Sequence, residues 1–392
     1  MHSLILKKGR DSSLKRWHPW VFSGSVASLE GSPDPGETVM IKDHAGRPLA
    51  SAAYSPQSQI RARIWSFDIN QKIDESFFHD RITLSVQRRD HISQRSAYRI
   101  VYGESDCLPG LIVDKYGDYL VCQLSTAGME FWRQTVIATL AGAVTCAGIY
   151  ERSDANSRKR EGLSQRQGTV WGNEPPDEII IDEFGLRFSV SLHAGHKTGF
   201  YIDQAENRRY VRGMCDGLHV LDCFSYTGGF GVSALCGGAR QVVNVDSSAA
   251  ALELADGNFR LNGLDKRDYH LERANVFELL RQYRDAQRRF DVIILDPPKL
   301  AETKSQLQKA ARAYKDLALQ AACLLNPGGY LLTFSCSGAI DIALFQKITA
   351  DAFLDAGRNA RVIRYLFQGE DHPVGLPFPE GLYLKGLVCR VD

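Results

Sequence analysis

No apolar run in this chain of 392 residues is long enough to span a bilayer, so no membrane-spanning helix is expected. The N-terminal stretch Met1 to Arg10 is too short in apolar residues for a secretory signal, and its basic residues follow that stretch instead of preceding it. A cytoplasmic location is therefore expected. The nine cysteines, at 107, 122, 146, 215, 223, 236, 323, 336 and 389, include no Cys-x-x-Cys pair and no matching histidine spacing. That argues against zinc, and no metal is expected. An odd count also argues against a full disulfide framework. The Gly-x-Gly-x-x-Gly turn of dinucleotide sites is missing, as are internal repeats and low-complexity segments. No charge sign dominates, since 47 basic residues face 46 acidic ones.

What is present is the composition of an ordinary globular protein, 44% hydrophobic and 24% charged, and long enough for two or three domains. Residues 1–70 read as short strands broken by turns, which predicts a small β-barrel. Residues 74–187 mix a helical pattern over 75–95 with alternating strands near 110–114 and 119–124, a central α+β domain. The polar stretch 153–172 reads as an exposed loop and linker. From 188 to 392 strands alternate with helical patterns, the mark of a parallel sheet with crossover helices. Strands are predicted at 218–222, 241–245, 291–295 and 329–334, with 381–390 as an antiparallel edge strand. The expected fold class is α/β, a Rossmann-like domain behind two smaller ones.

The segment Val220 to Gly231 is the most informative. An apolar strand ends at Asp222, and Phe224-Ser-Tyr-Thr-Gly-Gly-Phe-Gly231 turns into a helical pattern. Such turns let a backbone approach a nucleotide cofactor closely. Asp222 would repel a pyrophosphate and suits a cationic ligand bearing an amino acid. Phe224, Ser225, Tyr226, Thr227, Gly228 and Gly229 form the cradle. Asp246 ends the next strand, where a carboxylate can accept hydrogen bonds from ribose hydroxyls or cap a helix. Asn275, after a third apolar run, is a candidate for the adenine edge.

Two further segments carry chemistry. Asp296-Pro-Pro-Lys299 leaves an apolar run, and the prolines fix Asp296 at the sheet edge. Enzymes that methylate exocyclic amines usually place an aromatic ring where this chain has Lys299, which disfavours that reaction. Ser335-Cys-Ser337 leaves another apolar run. Methylation at C5 of a pyrimidine needs a thiolate to add to C6 and a proton donor near N3, and Cys336 and Asp296 suit those roles. The flanking serines and Gly338 indicate that Cys336 is leaving the core.

With these residues in hand, the chain resembles the bacterial ribosomal RNA large subunit methyltransferase I family over essentially its full length. The resemblance rests on Arg16-Trp-His-Pro-Trp-Val-Phe-Ser-Gly24, Tyr54 to Arg63, Gly103-Glu-Ser-Asp106, Gly195-His-Lys-Thr-Gly-Phe-Tyr-Ile-Asp-Gln204, the turn after Asp222, Asp296-Pro-Pro-Lys299, Thr333 to Gly338 and Pro379 to Gly386. It implies a PUA RNA-binding domain at 1–70, a central domain at 74–187 and a class I methyltransferase domain at 188–392. It also implies S-adenosylmethionine as cofactor, 23S rRNA as partner and 5-methylcytosine as product, with Cys336 as nucleophile and Asp296 beside both ligands. The segment containing Thr198, Phe200, Asp203 and Gln204 is implied to pack over the methionine end of the cofactor. Other RNA cytosine-5 methyltransferases carry a second cysteine in the Asp-x-Pro segment, where Lys299 stands here.

For RNA contacts the candidates are Lys7, Lys8, Arg10 and Arg16, the run Arg158-Lys-Arg160, and Lys299, Lys304, Lys309, Arg312 and Lys315 near the catalytic segment. Trp17, His18 and Trp20 are expected to fill the barrel rather than stack bases. Two rival readings stay open: a 5-methyluracil or amine methyltransferase on the same scaffold, and a non-catalytic RNA-binding assembly factor. A homodimer is also left open.

Overall fold

The computed structural model describes residues 2–92, 94–154, 156–301 and 304–392. Two compact units divide the chain. The first comprises 1–181, 190–202 and 370–381; the second comprises 182–189, 203–369 and 382–392. Among the described residues no helix is long and apolar enough to cross a membrane.

In the first unit, a mixed six-stranded sheet is built from Ser3–Leu6, Trp20–Phe22, Val26–Glu30, Thr38–Lys42, Pro48–Tyr54 and Ile60–Ser66. A five-stranded sheet follows, with Ala97–Tyr102 at one edge and Arg166–Gly172 at the other. Ala53 and Trp65 of the first sheet join the hydrophobic cluster of the second, together with Phe77, Phe78 and Met129. That shared core explains why the expected break near residue 70 does not separate two compact units.

Two expectations fail here. The stretch 153–172 is not a loop, because Arg166–Gly172 pairs antiparallel with Gly148–Ser153. Arg158 and Arg166 are paired, whereas Lys159 and Arg160 are exposed. Arg158 is fully buried and its Nη2 lies 2.9 Å from Glu130, which also takes Arg166 at 2.9 Å. Arg158 is therefore a structural ion-pair residue, not part of a phosphate-binding patch. The helix expected over 75–95 ends at Gln87, beyond which Arg89 turns inward to grip Asp106 through two hydrogen bonds of 2.7 and 2.8 Å.

The second unit holds a seven-stranded sheet. Its elements are β1 (His219–Cys223), α1 (Gly229–Cys236), β2 (Gln241–Asp246), α2 (Ala249–Leu261), β3 (Tyr269–Arg273), α3 (Val276–Asp285), β4 (Phe290–Leu295), α4 (Leu307–Leu324), β5 (Leu325–Ser335), α5 (Ile342–Asp355), β6 (Ala360–Leu366) and β7 (Lys385–Val391). The strand order is β3-β2-β1-β4-β5-β7-β6, with only β7 antiparallel to its neighbours. β1 and β4 are almost wholly buried, as strands covered on both faces must be, and this is why they read as unbroken apolar runs. α4 buries Ala310, Tyr314, Leu317, Ala318 and Ala321, the spacing of a single helical face. The C-terminal strand is interior rather than at the edge. β6 has only Leu366 buried and takes the edge, whereas six of the seven residues of β7 are buried.

Below the sheet, Arg208 and Glu183 form a bidentate ion pair, Nε to Oε1 at 2.7 Å and Nη2 to Oε2 at 2.6 Å, with both side chains almost inaccessible.

Candidate cofactor and catalytic site

The carboxyl ends of β1, β2, β4 and β5 carry the chemistry-bearing residues of the second unit. Asp222 ends β1 in full burial, and its Oδ2 accepts the Gly231 N–H at 3.1 Å. Burial drives its carboxyl well above the ordinary carboxylate range. The Gly231 hydrogen bond opposes that shift, the Asp296 and Asp246 charges add to it, and Arg208 opposes it.

The turn after β1 is held in an unusual backbone shape. Phe224 and Tyr226 have φ values of 62° and 49°, left-handed conformations that bulky residues rarely adopt. Strain of this kind clusters at ligand clamps. It is held by two hydrogen bonds, Ser225 N–H to Val245 O at 3.0 Å and Tyr226 N–H to Asp246 Oδ2 at 2.9 Å. Gly228 follows with φ 77° at the N-terminus of α1, and a Cβ on Gly231 would sit 2.0 Å from Asn244 Oδ1. Only glycine lets α1 lie this close to β2.

Asp222 Oδ1, Ser225 Oγ and Thr227 Oγ1 are buried with no hydrogen-bond partner among the described residues. Orphaned polar atoms around a strained glycine turn fit a polar ligand, because each is costly until something pairs with it. The donor set therefore suits the amino-acid and ribose parts of a nucleoside cofactor.

Asp246 has both oxygens on backbone N–H groups, Oδ2 with Tyr226 and Oδ1 with Ser248 at 2.9 Å. It organises the turn directly. The helix cap itself is Ser248, whose Oγ accepts the Ala251 N–H. Asn275 is the N-cap of α3: its Oδ1 accepts from Phe277 N–H at 3.0 Å and its Nδ2 faces Glu278 at 3.4 Å. Its Oδ1 is occupied in capping.

The segment 198–204 is divided between the units. Thr198 is buried in the first unit, where its hydroxyl donates to Asp114 at 2.6 Å and meets Tyr116 Oη at 2.8 Å. Phe200 is buried there as well, with its N–H on Tyr116 Oη. These two residues anchor the segment, and the Thr198 hydroxyl has its capacity filled within the first unit. Asp203 and Gln204 belong to the second unit. Gln204 Nε2 donates to Asp296 Oδ2 at 3.0 Å, its Oε1 accepts from Asn207 Nδ2 at 2.6 Å, and Asn207 also reaches Phe367 O at 3.0 Å. Tyr383 Oη donates to Asp203.

Asp296 thus stands at the end of β4, half-buried and oriented by Gln204. Cys336 follows β5, the strand paired with β4, and is half-buried between Ser335 and Ser337, both fully buried. Ser337 pins the loop: its Oγ accepts from Ala301 N–H and meets Tyr314 Oη, both at 3.2 Å. Burial raises the Tyr314 hydroxyl above its ordinary value, and the charges of Cys336 and Asp296 both add to that shift. The acid and the thiol therefore share one neighbourhood, around Tyr314, and Cys336 is half-buried rather than fully packed.

Asn207, Tyr314, Tyr383 and Lys385 were not foreseen in the sequence. Tyr383 and Lys385 fall within the stretch Pro379 to Gly386 that carries the resemblance, but the place of all four beside the site comes from tertiary contacts that no local pattern displays.

Of the basic candidates, Lys7, Lys8, Arg10, Arg16, Lys299, Lys309 and Arg312 are exposed. Lys315 is paired with Asp355 at 2.7 Å, which raises its ammonium above the usual range, so it is a helix-surface ion pair first. The side chain of Lys304 lies outside the described residues. Trp17 does not fill a core. It is 66% exposed and stacks on Phe67 at 6.1 Å. Trp20 is half-buried, donating to Glu104 at 2.8 Å, and His18 faces Glu380 at 3.3 Å.

The family model described as S-adenosylmethionine-dependent methyltransferase matches residues 154–367, and a PUA-like domain model matches 4–67. Curated relatives named ribosomal RNA large subunit methyltransferase I are similar over the whole chain. That of Cronobacter sakazakii is 52% identical, covering 99% of both chains. That of Erwinia tasmaniensis is 51% identical with the same coverage. Among solved structures, a proposed SAM-dependent methyltransferase from Streptococcus mutans superposes with a TM-score of 0.86 at 23% identity over 100% of both chains. Another solved methyltransferase chain, complexed with SAH, gives 0.87 at 23% identity over 100% of both chains. At that identity the two structures speak for the fold alone.

Proposed function

We propose, because this chain belongs to the ribosomal RNA large subunit methyltransferase I family of S-adenosylmethionine-dependent methyltransferases, that it methylates C5 of one cytosine in 23S rRNA through a bond from Cys336 to C6. The observation that carries the finer reading is the half-buried Cys336 after β5, on the strand paired with the one that presents Asp296. When bound, S-adenosylmethionine supplies a methyl group on a sulfonium. The Cys336 thiolate adds to C6, its electron pair forming the C6–S bond while the C5=C6 double bond opens and its electrons make C5 nucleophilic, with Asp296 holding a proton at N3. Once C5 carries the methyl group, a base removes the C5 proton and the C6–S bond breaks. The ring regains its double bond and Cys336 leaves as thiolate. The target base must leave its stack to reach the sulfur, which favours protein-free or unfolded rRNA. A cytoplasmic location accords with such a substrate.

The cofactor is assigned to Asp222, the 224–229 turn, Asp246 and the Gln204–Asp296 pair. RNA phosphates are assigned to Lys7, Lys8, Arg10, Arg16, Lys299 and Arg312, with the exposed Trp17 as a base-stacking surface. The direct test is nucleoside mass mapping of 23S rRNA from a deletion strain and after treatment with purified protein. Loss and restoration of a single 5-methylcytidine is expected. A 5-methyluridine or an N-methylated base at that place would overturn the reading.

Two binding results follow. Asp246→Ala is expected to weaken S-adenosylmethionine binding by about 1 to 3 kcal/mol in calorimetry, because a charge-assisted hydrogen bond and the anchor of Tyr226 are lost together. Unchanged affinity would leave Asp246 a purely architectural residue. The second concerns pH. Because the Asp222 carboxyl titrates above the usual range, its neutral form prevails as pH falls, and the attraction to a cationic ligand is lost. Affinity should therefore decline on acidification at a higher pH than that at which ordinary carboxylates titrate. Asp222→Asn should bind weakly with a flat profile; a sloped profile in that variant would assign the dependence to another group.

A further inference from the structure

β7 brings an ammonium to the nucleophile's edge of the sheet. It runs antiparallel to β5 with Lys385 opposite Ser335, one residue before Cys336. Lys385 is 4% exposed, and its Nζ donates to the Ser337 carbonyl at 2.9 Å. A lysine so placed needs a compensating negative charge, because a carbonyl alone does not offset the loss of hydration. The charged and titratable groups that act on it are Cys336, Asp341 and Lys299, and Cys336 in turn acts on Tyr314, as does Asp296. Burial draws its ammonium below the usual lysine range, and Cys336 is the largest influence acting to restore it. The mechanism above gives Lys385 no part.

We propose that Lys385 is a positioning residue for the sulfur at 336: its ammonium is the counter-charge of the Cys336 thiolate, and its hydrogen bond to Ser337 fixes the peptide that carries the thiolate. This rests on Cys336 being the nucleophile. Opposite charges a short way apart across a partly dry edge favour each other's ionised forms. Lysine suits the place because a compact ammonium fits beneath one carbonyl, where a guanidinium fork would demand a planar partner.

The test uses the full-length protein and iodoacetamide, following the mass of the peptide that contains Cys336 as pH is raised. In wild type the alkylation midpoint is expected below the ordinary thiol value of about 8.5. In Lys385→Met it should rise by about one unit, with roughly tenfold slower alkylation at neutral pH, a factor of ten for each unit. Lys385→Arg should recover part of that loss. The same Lys385→Met variant should lose kcat, regain it at higher pH and keep KM for RNA. An unshifted alkylation profile would overturn the pairing. Should Lys385→Met fail to fold, the thiolate absorbance difference between wild type and Cys336→Ala reads the same midpoint, and a value at or above the ordinary thiol overturns the proposal. A shifted profile together with an active Cys336→Ala enzyme would leave the pairing standing and remove the nucleophile assignment instead.

Discussion

Cys336→Ala is expected to lower methylation by about 10⁴-fold or more, the scale on which losing a covalent nucleophile is felt. S-adenosylmethionine affinity should stay within about twofold, because the cofactor is assigned to the ends of β1, β2 and β4 and not to the Cys336 side chain. Folding should be nearly unchanged as well. Ser335 and Ser337 are the buried members of this turn, and they hold its path whatever stands between them. The measurements are single-turnover methylation of a 23S rRNA fragment and calorimetric titration with the cofactor. RNA carrying 5-fluorocytosine at the target gives a sharper result. The fluorine cannot leave as a proton does, so the C6–S bond persists and wild-type protein should migrate as an adduct joined through Cys336. An adduct of equal yield on the alanine variant would place the nucleophile elsewhere and dismantle the covalent route.

Arg208→Ala should destabilise the protein by about 3 to 5 kcal/mol, because it leaves the Glu183 carboxylate buried without its bidentate partner. For a unit of this size that corresponds to a fall in Tm of roughly 6 to 20 °C in scanning calorimetry. The damage should extend to the site, since Arg208 is also the cation that opposes the upward shift of Asp222. Cofactor binding in the variant should therefore weaken further below neutral pH than stability alone explains. Replacing both partners, Arg208→Met with Glu183→Leu, should recover most of the lost stability, because an apolar pair removes the desolvation penalty that a single substitution exposes. A loss below about 1 kcal/mol for Arg208→Ala would mean that the pair is solvated rather than buried.

Some of this was legible in the sequence for clear physical reasons. The central strands of a parallel sheet are buried on both faces, so Phe290–Leu295 and Gln241–Asp246 announce themselves as apolar runs with polar ends. A glycine turn after such a strand marks a cofactor cradle because few other residues tolerate the backbone there. The misreadings share a different cause. Arg158 and Arg166 look solvated in the sequence because nothing nearby in the chain neutralises them; their partner is Glu130, a strand and a helix away. The C-terminal strand looks like an edge because it comes last, yet β6 lies outside it. Asn275 can serve an adenine or a helix in any local reading, and only the position of Phe277 N–H shows that its Oδ1 caps α3.

The sequence by itself determined the kind of sheet, the glycine-bearing turn after its first strand, and the presence of one acid and one thiol each directly after an apolar strand, because strand period, turn chemistry and residue reactivity are local properties. Only the tertiary structure decided what surrounds them: Gln204 on Asp296, Arg208 acting on Asp222, and Lys385 on the loop of Cys336. Those partners lie tens of residues away in the chain. Strand register and burial bring them together, and the electrostatics of a site depend on distance in space rather than on order in sequence.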